Sequence, residues 1–243
     1  YIGRLLTLAQ MEFLRDVDYP TRLADYQRSM DILHELSDMN PEYARQYETT
    51  ILGLENSFKA VNGYLTGLLD EGIMARKLAF ENDFRTRIQA DPDANAQYGM
   101  AWSEIADAQL ELATFADQSR YYGLNGSTLL GRAINMVRLA TQSALPADDR
   151  LPGMSDEGLA RIRSGLLRDQ PLNADYERLL LSSWLAAAQD ALGSSDPLVQ
   201  SLLGGRTPDA AADYLIRESM LVDLGERTSL LDGGLSALEG CAD

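Results

Sequence analysis

Apolar residues recur along this chain at helical spacing. Leu8, Met11 and Leu14 follow Thr7, which can cap the helix they begin, and Leu23, Tyr26, Met30 and Leu33 continue the stripe beyond Pro20. Pro20 removes a backbone donor inside that run, so a kink or break is expected there. Asn40-Pro41-Glu42 predicts a restart, with asparagine at the N-cap and proline at the first helical position. One long helix is then expected from about Glu42 to about Ala90, ended by Asp91-Pro92-Asp93. A third helix carries Tyr98, Trp102, Ile105, Leu112 and Phe115; the stretch Tyr122-Gly123-Leu124-Asn125-Gly126 breaks the chain, and Ser127 caps a helix bearing Leu130, Ile134 and Val137. Leu145 to Gly153, with Pro146 and Pro152, reads as a linker that could divide a single helical domain, 1–243, into a long-helix part, 1–145, and a short-helix part, 153–243. Shorter helices are expected around 156–168, 173–192 and 208–222.

The long helix carries two stripes. Ala44, Tyr47, Ile51, Leu54, Phe58, Val61, Leu65 and Leu68 alternate at spacings of three and four, which is a seam that must pack along a neighbouring helix. On the other side Gly53, Asn56, Ala60, Gly63 and Gly67 follow the same spacing. A solvent face would carry Glu, Lys and Gln, and each glycine costs a helix about 1 kcal/mol relative to alanine. Close approach of another backbone or of a ligand would offset that cost. Asn56 is then either an interhelical hydrogen-bonding group in a tight packing face or a polar contact for something bound.

Composition settles the class. The 243 residues include 40 Leu and 29 Ala against 5 Val and 9 Ile, so the chain is all-α, an irregular multi-helix bundle with shorter helices in its C-terminal part. Its formal charge of -16 repels phosphate and argues against a nucleic-acid partner. No apolar run reaches the roughly 20 residues that span a bilayer, so no membrane partner is expected. Cys241 is the only cysteine and His34 the only histidine, which excludes an internal disulfide, a thiolate cluster and a multi-histidine metal site. The opening at Tyr1, without methionine or leader, and the abrupt close after Leu-Glu-Gly-Cys-Ala-Asp suggest a piece of something longer.

Several constellations fail on inspection. Asp91-Pro92-Asp93-Ala94-Asn95 imitates the start of a calcium loop, but Ala96 stands at the glycine position and Trp102 at the bidentate glutamate position. His34 sits alone between Leu33 and Glu35, with no nucleophile motif beside it. Glu71, Glu81 and Asp83 read as surface carboxylates, and Glu55 with Lys59 as a stabilising i, i+4 pair. No catalytic residue, metal ligand or cofactor-binding residue is identified, and no cofactor is expected.

The stretch Tyr47 to Lys59, which includes Gly53-Leu54-Glu55-Asn56-Ser57-Phe58-Lys59, continues as Asn62-Gly63-Tyr64-Leu65-Thr66-Gly67-Leu68 and then Gly72 to Lys77 and Glu81. It resembles the α-helical domain of the S46 serine peptidases, the bacterial dipeptidyl peptidases. Gly3-Arg4 with Thr7 and Tyr19-Pro20 resembles the start of that domain; Leu130-Gly131-Arg132 and Leu224-Gly225-Glu226-Arg227 resemble its later helices. The likeness is specific over about 43–88 and looser elsewhere.

The resemblance implies a parent enzyme with a chymotrypsin-like double β-barrel that carries a His, Asp, Ser triad. The helical domain would be inserted between the triad's Asp and Ser, covering the cleft of a periplasmic or cell-surface peptidase that releases dipeptides from peptide amino ends. The implied partners are the peptide's amino terminus and the barrel of the same chain, and a homodimer is compatible. None of the triad falls within these residues, nor do the determinants of side-chain selection at the cut site. In the family an asparagine of the helical domain helps hold the substrate α-amino group, and the match places it at Asn56. Where the family often has a further asparagine after the lysine, this chain has Ala60. The alternative is a non-enzymatic helical protein-interaction module.

Overall fold

The computed structural model describes residues 6–240, so Gly3-Arg4 and Cys241 lie outside the described residues. Among the described residues no strand forms. The chain divides into two compact units, one ending at Ser119 and the other beginning at Arg120.

The first unit begins with α1 (Leu8–Phe13), capped as the sequence predicts: Thr7 accepts from the Gln10 N–H while the Gln10 side chain takes the Thr7 N–H at 2.9 Å. The interruption expected at Pro20 is a π-helical turn, Leu14–Asp18, which runs directly into α2 (Tyr19–Met39) with Pro20 in its first turn. Asn40 then accepts from the Glu42 N–H at 3.0 Å and opens α3 (Pro41–Leu68), which folds back along α2 as its main partner. The predicted seam supplies that contact. Val61 is buried and Tyr47, Ile51, Leu54, Phe58, Leu65 and Leu68 are half-buried, while Ala44 at the helix start is exposed. Met30, Ile32, Leu33 and Leu36 are the buried residues of α2.

The single helix expected over 42–90 is two helices. Asp70 leaves the helical conformation (φ -74, ψ 108) and its side chain accepts the Ile73 N–H, so it caps a new helix, α4 (Glu71–Ala90). Asp91 in turn takes the N–H groups of Asp93 and Ala94 to open α5 (Pro92–Tyr98). The third helix expected from Tyr98 is thereby split, and its remainder is α6 (Ala101–Thr114), which packs on α1. A short helix, α7 (Ala116–Tyr121), carries the chain across the division.

In the second unit Ser127 caps α8 (Thr128–Ser143), as predicted. The 145–153 segment lies inside this second unit. Gln142 Oε1 accepts the Leu151 N–H at 2.8 Å and Arg150 donates to the Leu145 carbonyl at 3.1 Å, so the loop is tied to the end of α8. It leads into α9 (Asp156–Leu166), which packs on α8. Then follow α10 (Ala174–Leu192), α11 (Pro197–Leu203) and α12 (Pro208–Arg217), a 3₁₀ turn at Met220–Val222, and α13 (Leu224–Glu239). The sequence pattern had not separated α11, and the helix expected over 208–222 ends at Arg217. One apolar cluster joins α8, α9 and α13 through Met136, Leu139, Leu159, Leu166, Leu230 and Leu231. Another joins α10, α11 and α12 through Leu181, Leu185, Val199, Leu203, Ala211 and Ala212.

Candidate functional site

The outward stripe of α3 is open. Gly53, Asn56, Ala60 and Gly63 are exposed and Gly67 is half-buried. Among the described residues, a methyl group built on Gly53, Gly63 or Gly67 meets no atom within 4 Å, apart from each helix's own backbone and the adjacent residues. No described helix therefore packs against these glycines, and none of the described residues needs them for a close approach. The Asn56 side chain has no hydrogen-bond partner among the described residues. It makes no interhelical tie there, and on this exposed face its carbonyl oxygen can accept and its NH2 can donate. At its C-terminal end the stripe passes into a cavity of about 480 Å³ whose walls include Gly63, Gly67, Tyr19, Tyr64 and Ile73.

Around this face the charges are paired locally. Glu55 and Lys59 form the expected i, i+4 bridge at 3.5 Å, with both side chains well exposed, worth a few tenths of a kcal/mol. His34 lies exposed on α2. Among the described residues no group of three or more His, Cys, Asp or Glu side chains is arranged to hold a metal ion, and no helix is long and apolar enough to cross a membrane.

Glu81 corrects the sequence reading. It is only 9 % exposed, not a surface carboxylate, and its Oε2 accepts the Leu8 N–H of α1 at 2.7 Å. A carboxylate at a helix start satisfies an orphan donor and complements the helix dipole. The second unit repeats the device: Glu177, 3 % exposed on α10, accepts the Leu129 N–H of α8 at 3.0 Å. Neither cap was legible in the sequence, because donor and acceptor lie 73 and 48 positions apart.

The later matched segments are also placed. Arg132 and Arg227 both belong to the second unit, and Arg227 is 1 % exposed. Burial, and then the neighbouring charge of Arg227, hold the Arg132 guanidinium below the usual arginine value, while Glu177 pulls the other way. These residues build the unit rather than a reactive centre.

A search of curated proteins returned no match. The family model described as Peptidase S46 matches residues 3–243, nearly the whole chain and both compact units. The open Gly-Asn-Gly face, the capped helices that carry it and the arginine pair of the second unit thus all fall inside one family's pattern, and this chain belongs to the peptidase S46 family.

Proposed function

We propose that this chain is the helical cap of a periplasmic or cell-surface serine exopeptidase that releases dipeptides from peptide amino ends. In this reading the nucleophile and its base lie on a β-barrel outside these residues. The cap covers the cleft and Asn56 helps hold the substrate's α-amino group. The observation that supports it is the outward stripe of α3: an unpaired, exposed Asn56 set among glycines with open space above them. Such a face is costly for an isolated helix and suits a surface that a peptide end approaches closely.

An exopeptidase must separate a free amino terminus from a mid-chain amide. The distinguishing feature is an ammonium with three donors, and an asparagine carbonyl oxygen can accept one of them at fixed depth. A hydrogen bond to a charged group contributes about 1.5–3 kcal/mol, so Asn56→Ala in the full-length peptidase is expected to lower kcat/KM by roughly 10- to 150-fold. Peptides with an acetylated amino end should lose far less. Equal turnover by wild type and variant on free-amino peptides would remove Asn56 from substrate recognition. No cofactor enters this reading, and the purified 243-residue chain should hydrolyse no peptide by itself.

A further inference from the structure

Glu81 does more than a helix cap requires. Its Oε2 takes the Leu8 N–H, but its second oxygen accepts no hydrogen bond among the described residues. No side-chain nitrogen or oxygen in the described residues is both fully buried and unpaired, so that oxygen keeps some accessible surface, and Glu81 lines a cavity. Among the described residues no cationic side chain pairs with it. Glu177, the equivalent cap of the second unit, differs in having the Arg132 guanidinium within electrostatic reach.

The cavity holds about 280 Å³ and lies between α4 and α6. Its apolar walls are Phe80, Phe84, Trp102 and Ile105, with Phe84 and Trp102 edge to face at 5.6 Å. Phe80 and Phe84 remain 56 % and 45 % exposed, a large apolar surface left at the mouth of a pocket. Lys77, one helical turn before Glu81, stands on the same wall with its ammonium over the Phe80 ring at 5.7 Å. It makes no ion pair among the described residues. Side chains four positions apart on a helix have Cβ atoms about 5–6 Å from each other. A carboxylate and an ammonium, neither of them in an ion pair among the described residues, thus line the same aromatic pocket one helical turn apart.

We propose that this pocket binds small apolar zwitterions: α-amino acids with aliphatic or aromatic side chains, or the short peptides that proteolysis releases. The ligand ammonium meets Glu81 Oε1, its carboxylate meets Lys77, and its side chain fills the space between Phe84, Trp102 and Ile105. A ligand of this kind brings both charges and the apolar body that the pocket lacks. Simple amines satisfy only Glu81, and acids only Lys77. The site is separate from Asn56 and stands whether or not that residue reads the substrate.

Calorimetric titration of the full chain with L-leucine, L-phenylalanine and leucylleucine tests this, with leucine amide and N-acetyl-leucine as ligands that each lack one charge. Saturable binding of the zwitterions is expected, at least about 10-fold tighter than of either blocked form. Comparing leucine with leucylleucine tells a free amino acid from a released dipeptide as the preferred ligand. Glu81→Gln keeps an oxygen acceptor for the Leu8 N–H, so its circular dichroism and melting should match wild type while zwitterion binding falls at least about 10-fold. Lys77→Gln should weaken leucine and leave leucine amide unchanged. No saturable heat with any zwitterion, or Glu81→Gln that folds and binds as wild type does, would overturn the proposal. Neither result bears on Asn56, whose loss is read in hydrolysis kinetics.

Discussion

Arg132 and Arg227 converge on one backbone oxygen: Nη1 of each donates to the Leu221 carbonyl, at 3.3 and 2.9 Å. Arg227 also reaches the carbonyls of Val222, Leu166 and Arg168, at 2.8, 3.0 and 3.2 Å, and Arg132 reaches Gln170 at 2.9 Å. The pair thereby fastens the 167–173 connection, between α9 and α10, to the turn before α13. Arg227→Ala would leave several carbonyls with no donor and open a void. The expected loss is about 3 kcal/mol or more, a melting temperature lower by roughly 10 °C. Arg227→Lys should recover little of it, because one ammonium cannot span carbonyls that the planar guanidinium reaches together. Thermal unfolding of the three proteins checks this.

The open glycines of α3 make a prediction of opposite sign. With nothing among the described residues within 4 Å of an added methyl, apart from the helix's own backbone and adjacent residues, Gly53→Ala, Gly63→Ala and Gly67→Ala should each stabilise the chain by about 0.5–1 kcal/mol. The triple variant should melt several degrees higher. In the full-length peptidase the same methyl groups are expected to reduce kcat/KM if a peptide lies along this face. A triple variant that is both more stable and fully active would mean that the face touches nothing during turnover.

Asn56→Ala should leave the melting temperature unchanged or raise it slightly, since alanine is the better helix former by up to about 0.7 kcal/mol and no partner is lost. A drop of several degrees in a thermal melt would instead reveal a structural tie.

Gly126 is needed for a different reason. A Cβ there would sit 2.5 Å from Cδ2 of Trp184, whose ring also packs edge to face on Tyr121 at 5.7 Å. Gly126→Ala should therefore cost about 1–3 kcal/mol. The cost should shrink in a Trp184→Leu background, where the indole is gone, and a double-mutant cycle on urea unfolding measures that coupling.

What the sequence made legible was local. Thr7, Asn40 and Ser127 announce helix starts because each side chain accepts an N–H two or three residues onward. The seam of α3 was readable for the same reason, since it repeats within one element. The break at Asp70 was not, because Leu68-Leu69-Asp70-Glu71 contains neither glycine nor proline and an aspartate in a helical pattern passes for a surface residue. The two compact units part within α7, which has no breaker in its sequence, whereas Pro146 and Pro152 mark a loop that Gln142 and Arg150 tie down. Of the candidate site, the stripe around Asn56 was visible but its openness was not, because exposure depends on which helices decline to pack there. The burial of Glu81 depends on Leu8, far away in sequence, and no periodicity reports such a contact.

The interruption between α3 and α4 also works as a rotational coupling. Asp70 is extended rather than helical, so its backbone angles give the chain a new direction between the two helices. The length of the Leu69-Asp70 joint therefore sets how all of α4 is presented relative to α3. Removing one residue there would re-aim α4 and carry Glu81 away from Leu8, and move Lys77, Phe80 and Phe84 with it, without altering any of their identities. Joint length is thus under tighter constraint than joint composition: a substitution at Leu69 is a local matter, while a single insertion or deletion re-aims an entire wall of the first unit.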